Sequence, residues 1–219
     1  MLILVFVAAS LAAGFSRGPT GPVQDVAIEQ PPTALQQIRE SAVAVFDDTL
    51  AGKWADVSAE LKGIEQRLSK LPANLPFPDV VALLHERIRS LRQGVPAHDT
   101  LAVLDDANAL TQLVTQIADG FEVTVPFEVA ILPYFGRQLE IDAMSGSLNR
   151  LRQISRDLRA MWTRAEPMVL MRGDTVDARR FTDIVVDLEA ASSLSDFKRL
   201  AKMELDAAAS LSRQFESGG

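Results

Sequence analysis

The sequence predicts an all-α protein, an antiparallel helical bundle of about eight helices arranged as two pseudo-repeated four-helix units. Three observations carry that prediction. Apolar residues recur at steps of three and four over most of the chain, the spacing that lines one face of a helix. Glycine and proline punctuate the periodic stretches at intervals suited to short helix–helix connections. A similar order of elements also returns about 94 residues later in the chain.

The first 13 residues, MLILVFVAASLAA, form an apolar run that ends in small side chains. A helix needs roughly 20 apolar residues to cross a bilayer, so this run is too short to span one. Ser10-Leu11-Ala12 has the small-x-small pattern of a signal-peptidase site, although no Lys or Arg precedes the run and the first basic residue is Arg17. The segment at 1–13 is therefore expected to be signal-like, with a periplasmic or cell-envelope location and no integral membrane span once it is removed. Four prolines and three glycines then fall within residues 14–32, the composition of a linker.

The first four-helix unit is expected over residues 33–120. Thr33, with Gln36 three residues on, predicts a capping-box start, and Leu35, Ile38, Ala42, Val45 and Thr49 the inward face. Gly52 stops this helix. The second helix carries the most regular seam: Trp54, Val57, Leu61, Ile64, Leu68 and Leu71. Pro72, Pro76 and Pro78 mark a turn. Val81, Leu84, Ile88 and Leu91 face inward on a third helix, ended by Gly94 and Pro96. Asp99 caps a fourth, with Val103, Ala107, Leu110, Val114 and Ile117 inward.

The second unit is expected over 121–219. Its first part, FEVTVPFEVAILPYFGRQLEIDAMSG, is apolar on several sides and links the halves. A helix is expected from about Pro126, bent at Pro133, with Val129, Leu132, Gly136, Leu139 and Ala143 inward. The other reading places Pro133 in the first turn of a helix that begins there. Gly146 follows Gly52 by 94 residues, and Leu148, Leu151, Leu158, Trp162 and Ala165 follow the second seam by the same offset. Ile154 is expected to take the inward place of Ser155. Ala178, Phe181, Val185 and Leu188 make the next face. In the last helix, Leu200, Ala207 and Leu211 keep the pattern, but Glu204 falls on an inner site, and Met203 and Phe215 are expected to pack instead.

Composition excludes several kinds of chemistry. The chain has no cysteine, which removes disulfides, thiolate nucleophiles and zinc–thiolate sites. Its net charge is −7, with acids interleaved among the densest basic runs (residues 85–92 and 150–164), so nucleic acid is not expected as a partner. His85 and His98 lack the Glu-x-x-His spacing of a di-metal bundle. Haem held by His85 and one of Met144, Met161, Met168, Met171 or Met203 would require that histidine to turn inward. The acid pairs Asp47/Asp48, Asp105/Asp106 and Glu140/Asp142 read as caps and solvated positions rather than a general acid and base. Arg172-Gly173-Asp174 reads as a turn, with Asp174 capping the helix that follows.

No catalytic residue, metal site or cofactor is assigned. Candidate ligand-binding residues are Tyr134, Arg137 and Asn108: the only tyrosine and an arginine in an apolar helix, and an asparagine beside the fourth seam. The alternative for all three is that they satisfy one another or backbone carbonyls and fix helix register. The expected function is non-enzymatic binding of a protein or small ligand in a groove between the halves. A metal- or haem-binding bundle is the alternative, followed by an enzyme.

Overall fold

A computed structural model describes residues 30–217; the apolar run at 1–13 and most of the linker at 14–32 lie outside the described residues. Within them the chain is helical and contains no strand. The elements are α1 (Thr33–Leu50), α2 (Trp54–Leu68), α3 (Pro78–Ala97), α4 (Thr100–Ala118), α5 (Phe127–Ala130), α6 (Leu132–Met144), α7 (Leu148–Met171), α8 (Thr175–Ala190) and α9 (Leu194–Ser217). The single turn α5 aside, this gives the eight helices read from the sequence.

The seams bury the residues that their spacing selects. Leu35, Ile38, Ala42 and Val45 of α1 are fully buried, and Ile64, Leu84, Leu91, Val103 and Leu110 join them in one core. In that core α1 packs on α2 and α4, and α3 packs on the same two helices. A second core holds Leu139, Leu158, Trp162, Phe181, Phe197 and Leu211. Here α6 and α8 each pack on both α7 and α9. The rings of Trp162 and Phe181 lie 4.5 Å apart, and the indole N–H donates to Thr182 Oγ1 at 2.9 Å. Truncating so large a buried side chain to alanine typically costs about 3–5 kcal/mol. The cores meet where α4 packs on α6.

The helix ends follow local chemistry. Gly52 and Gly146 adopt φ of 70° and 73°, the left-handed conformation that glycine takes without a Cβ penalty. Asp99 accepts from Ala102 N at 3.2 Å and Asp174 from Asp177 N at 3.0 Å, so both cap as expected.

Several boundaries differ from expectation. Pro32 occupies the cap position of α1 and Thr33 is already helical, with no side-chain capping bond; Gln36 donates to Glu40 instead. α2 ends at Leu68, three residues before Leu71, which packs on the core from the turn. α3 continues through Gly94 and Pro96 to Ala97. Burial of Val95 holds this last turn on the core, and His98 closes it in a left-handed conformation with its ring stacked on Trp54 at 4.5 Å. No single bent helix runs from Pro126. α5 stops at Ala130 and α6 restarts at Leu132 with Pro133 in its first turn. The missing proline N–H and its ring interrupt the hydrogen-bond ladder at that point, whereas a first turn tolerates both.

The interior is also more polar than expected. Ser155 and Ile154 are both buried, the hydroxyl of Ser155 donating to Leu151 O at 2.8 Å. Asp106 and Asp142 are buried, contrary to their reading as solvated acids. Arg87 reaches Asp106 at 3.0 Å, and Arg150 Nε lies 3.2 Å from Asp142 Oδ1, so each carboxyl keeps a cationic neighbour at the edge of the core. Glu204, rather than Met203, holds the inner position of α9, with 0% exposure. Gly136 on α6 makes the room. A Cβ at that position would overlap Glu204 Oε2 and meet the Leu205 side chain at 2.7 Å.

Candidate functional site: a groove between α1 and α6

No Cα of α1 comes within 8 Å of α6 or α9, although α4 packs on both α1 and α6. The two walls therefore stand apart over α4 and enclose a cleft of about 630 Å³. Ligand sites commonly occupy roughly 300–1,000 Å³, so a small molecule fits. Leu35 and Val43 line the α1 side, and Phe127, Ile131 and Pro133 the opposite side. Thr111, Val114 and Thr115 form the floor. The two threonine hydroxyls are engaged by their own helix, donating to Asn108 O at 2.7 Å and Thr111 O at 2.8 Å. The floor is thereby less polar than its residue types imply.

Two guanidinium groups, Arg39 from α1 and Arg137 from α6, border this apolar space. Neither has a carboxylate within ion-pair distance among the described residues. Arg137 is half-buried and lies 5.9 Å from the centroid of the Phe46 ring. Burial pulls its pKa below the usual arginine range; Asp47, Glu204 and Glu140 oppose that pull, while Arg39 adds repulsion. Arginine keeps its charge in proteins, so a positive group with open hydrogen-bonding capacity is held against an apolar cleft. Asp119, Glu122 and Glu216 also border the cleft, but they are exposed and lie where α4 and α9 end.

The three sequence candidates do not form one patch. Asn108 is fully buried, and its amide donates to Tyr134 O at 3.0 Å and to Gln138 Oε1 at 3.2 Å, which ties α4 to α6. This is the register-fixing arrangement. Tyr134 borders the cleft, but its phenol is set among other charges. Burial pushes its pKa up to about 12, with Asp105, Asp142 and Asp157 adding to the rise and Arg87 opposing it. Arg137 instead senses Asp47, Glu204, Glu140 and Arg39. Tyr134 and Arg137, one turn apart on α6, both line the cleft, whereas Asn108 does not.

Sequence reading missed Arg39, which stands beside the inward Ile38 and has no distinguishing spacing. Glu204 did carry a signal, as the one charge on an otherwise apolar seam. Burial raises its pKa well above the usual carboxylate range; Arg137 opposes the shift and Glu140 adds to it. The Gly136 N–H tempers the shift weakly, without completing a hydrogen bond to either carboxyl oxygen. His85 and His98 are exposed on the surface of the first unit. Among the described residues no group of three His, Asp or Glu side chains could hold a metal ion, and no helix is long and apolar enough to cross a membrane. The chain matches no protein-family model, no curated protein and no solved structure.

Proposed function

We propose that this chain is an exported, non-enzymatic binding protein of the periplasm or cell envelope that holds a ligand in the groove between its two helical units. The groove itself is the observation that carries this reading: two walls held apart over a shared floor, with about 630 Å³ between them. A core protein without a ligand role gains by closing such a space, because every apolar group left unburied forgoes stabilisation. Filling the groove tests the idea. Protein recovered from a host envelope fraction should carry a bound small molecule in native mass spectrometry, and Thr115→Trp should lose it. A bound mass that persists in the folded Thr115→Trp variant would place binding elsewhere.

Export rests on the apolar run and its small-residue end. The mature protein should begin near Ala13 by N-terminal sequencing; an intact Met1 on soluble cytoplasmic protein would refute export. The proposal also includes an internal duplication, supported by the offset between Gly52 and Gly146, by their shared left-handed conformation and by the same order of neighbours in both units. Superposing Thr33–Asp119 on Phe127–Phe215 should align four helices in sequence order, and a match that skips or reverses a helix would remove the duplication.

A further inference from the structure

The geometry points to an amphipathic anion as the occupant of the groove, its apolar chain lying along α4 and its acidic head group between Arg39 and Arg137. This assignment rests on the groove being the binding site and adds the chemical class of what it takes.

Three features of the cleft select that class. Its walls and floor offer Val43, Ala118, Val125, Phe127 and Pro133, all partly exposed, which suit a hydrocarbon body. The two guanidiniums come from opposite walls, and among the described residues neither is committed to a carboxylate. An anion between them can accept charge-assisted hydrogen bonds from both walls. A guanidinium presents its donors as a fork that matches a carboxylate or phosphate.

The acids along the cleft set the direction of binding. Asp119, Glu122 and Glu216 cluster where α4 and α9 end, and the exposed Glu40, the remaining acid on the cleft, follows Arg39 on α1; Asp47 and Glu140 act on Arg137 without pairing with it. An anionic head is repelled from the acidic end and drawn to the arginines. The acids themselves are exposed and remain solvated, so they call for no cationic group on the ligand. Lipid-derived and free carboxylates share this chemistry, and a single-chain carboxylate is the simplest probe of it.

Isothermal titration calorimetry on the full chain tests the assignment with decanoate, 1-decanol and decylammonium, all kept below micelle-forming concentrations. Decanoate should bind at one site at least about tenfold more tightly than decanol, the scale of a charged hydrogen bond. Decylammonium should bind no better than decanol. Arg137→Gln and the more peripheral Arg39→Gln should each bring decanoate down toward the alcohol and leave decanol unchanged, with thermal melts confirming that both variants fold. Thr115→Trp should abolish binding of all three probes.

Equal affinity for decanoate and decanol, both lost in Thr115→Trp, would overturn the anionic class and leave the groove standing. Decanoate binding that survives Thr115→Trp would overturn both. No binding by any probe would overturn the amphipathic-anion assignment, and the native mass measurement then judges the groove on its own.

Discussion

Replacing Glu204 with glutamine should remove a pH-dependent loss of stability from the native protein. Glu204 has 0% exposure, and neither carboxyl oxygen has a hydrogen-bond partner. Burial is the largest cause of its raised pKa, and the opposing field of Arg137 does not cancel it. The unfolded chain releases this proton near the ordinary glutamate value of 4.5, whereas the folded chain retains it to higher pH. Between those limits the native state binds one more proton than the unfolded state, so stability must fall as pH rises. The slope for one proton is about 1.4 kcal/mol per pH unit. The contribution is fully present below pH 4.5 and is lost as pH climbs through the folded value. Glutamine has nearly the same shape and no proton to release.

Urea melts followed by far-UV circular dichroism, at half-unit steps from pH 4 to 7.5, measure the effect. The stability of Glu204→Gln minus that of the parent should increase with pH by about 1.4 kcal/mol per unit inside the window. Asp106, Asp142 and Glu140, also raised by burial, act in the same direction in both proteins and largely cancel in the difference. A flat difference would show that Glu204 is not held protonated. A difference that shrinks with rising pH would mean an ionised carboxylate paired with Arg137, the reverse of the arrangement described above.

Because Tyr134 is the only tyrosine, phenolate absorbance near 295 nm reports it alone, and the midpoint should lie near 12. A midpoint close to 10 would place the phenol in water. Gly136→Ala should cost about 1–3 kcal/mol by forcing α6 and α9 apart, and less in a Glu204→Ala background, since the overlap with Oε2 is gone; an equal cost in both backgrounds would deny the contact. Asn108→Ala should cost about 1–3 kcal/mol in denaturant melts, because its amide is the polar tie between α4 and α6. A loss under 0.5 kcal/mol would mean that the tie carries little.

Most of the fold is legible in the sequence because amphipathic period and burial are one physical statement. Leu61, Ile64, Leu84, Val103, Leu158 and Phe181 face inward for want of any better place to go. Exceptions arise where one residue's burial depends on a partner far along the chain. Glu204 is tolerated inside only because Gly136, 68 residues earlier, leaves space for its carboxyl. Asp106 and Asp142 look like surface acids until Arg87 and Arg150 are brought beside them. Pro133 illustrates a local ambiguity: kink and first turn obey the same steric rule, and packing decides between them. The groove was less legible still. It is a gap between the backbones of α1 and α6, bridged in part by the Arg137 and Phe46 side chains, and periodicity records which face is apolar but not what fails to cover it. Arg137 drew notice as a charge in an apolar helix, while Arg39, its counterpart across the gap, looks like any arginine on a solvated face.

α4 buries 11 of its 19 residues, from Val103 through Ile117, because it is wanted on three sides: by α1, by α3 and by α6. Such a helix has scarcely a wet edge. Drift that other helices absorb on their outer faces has little room here, and a bulkier side chain at Leu104 or Leu110, both 0% exposed and off the cleft, must displace one of several neighbours. The rod that floors the cleft is thus the member least free to vary, while its banks can change length and charge and retune what settles between them.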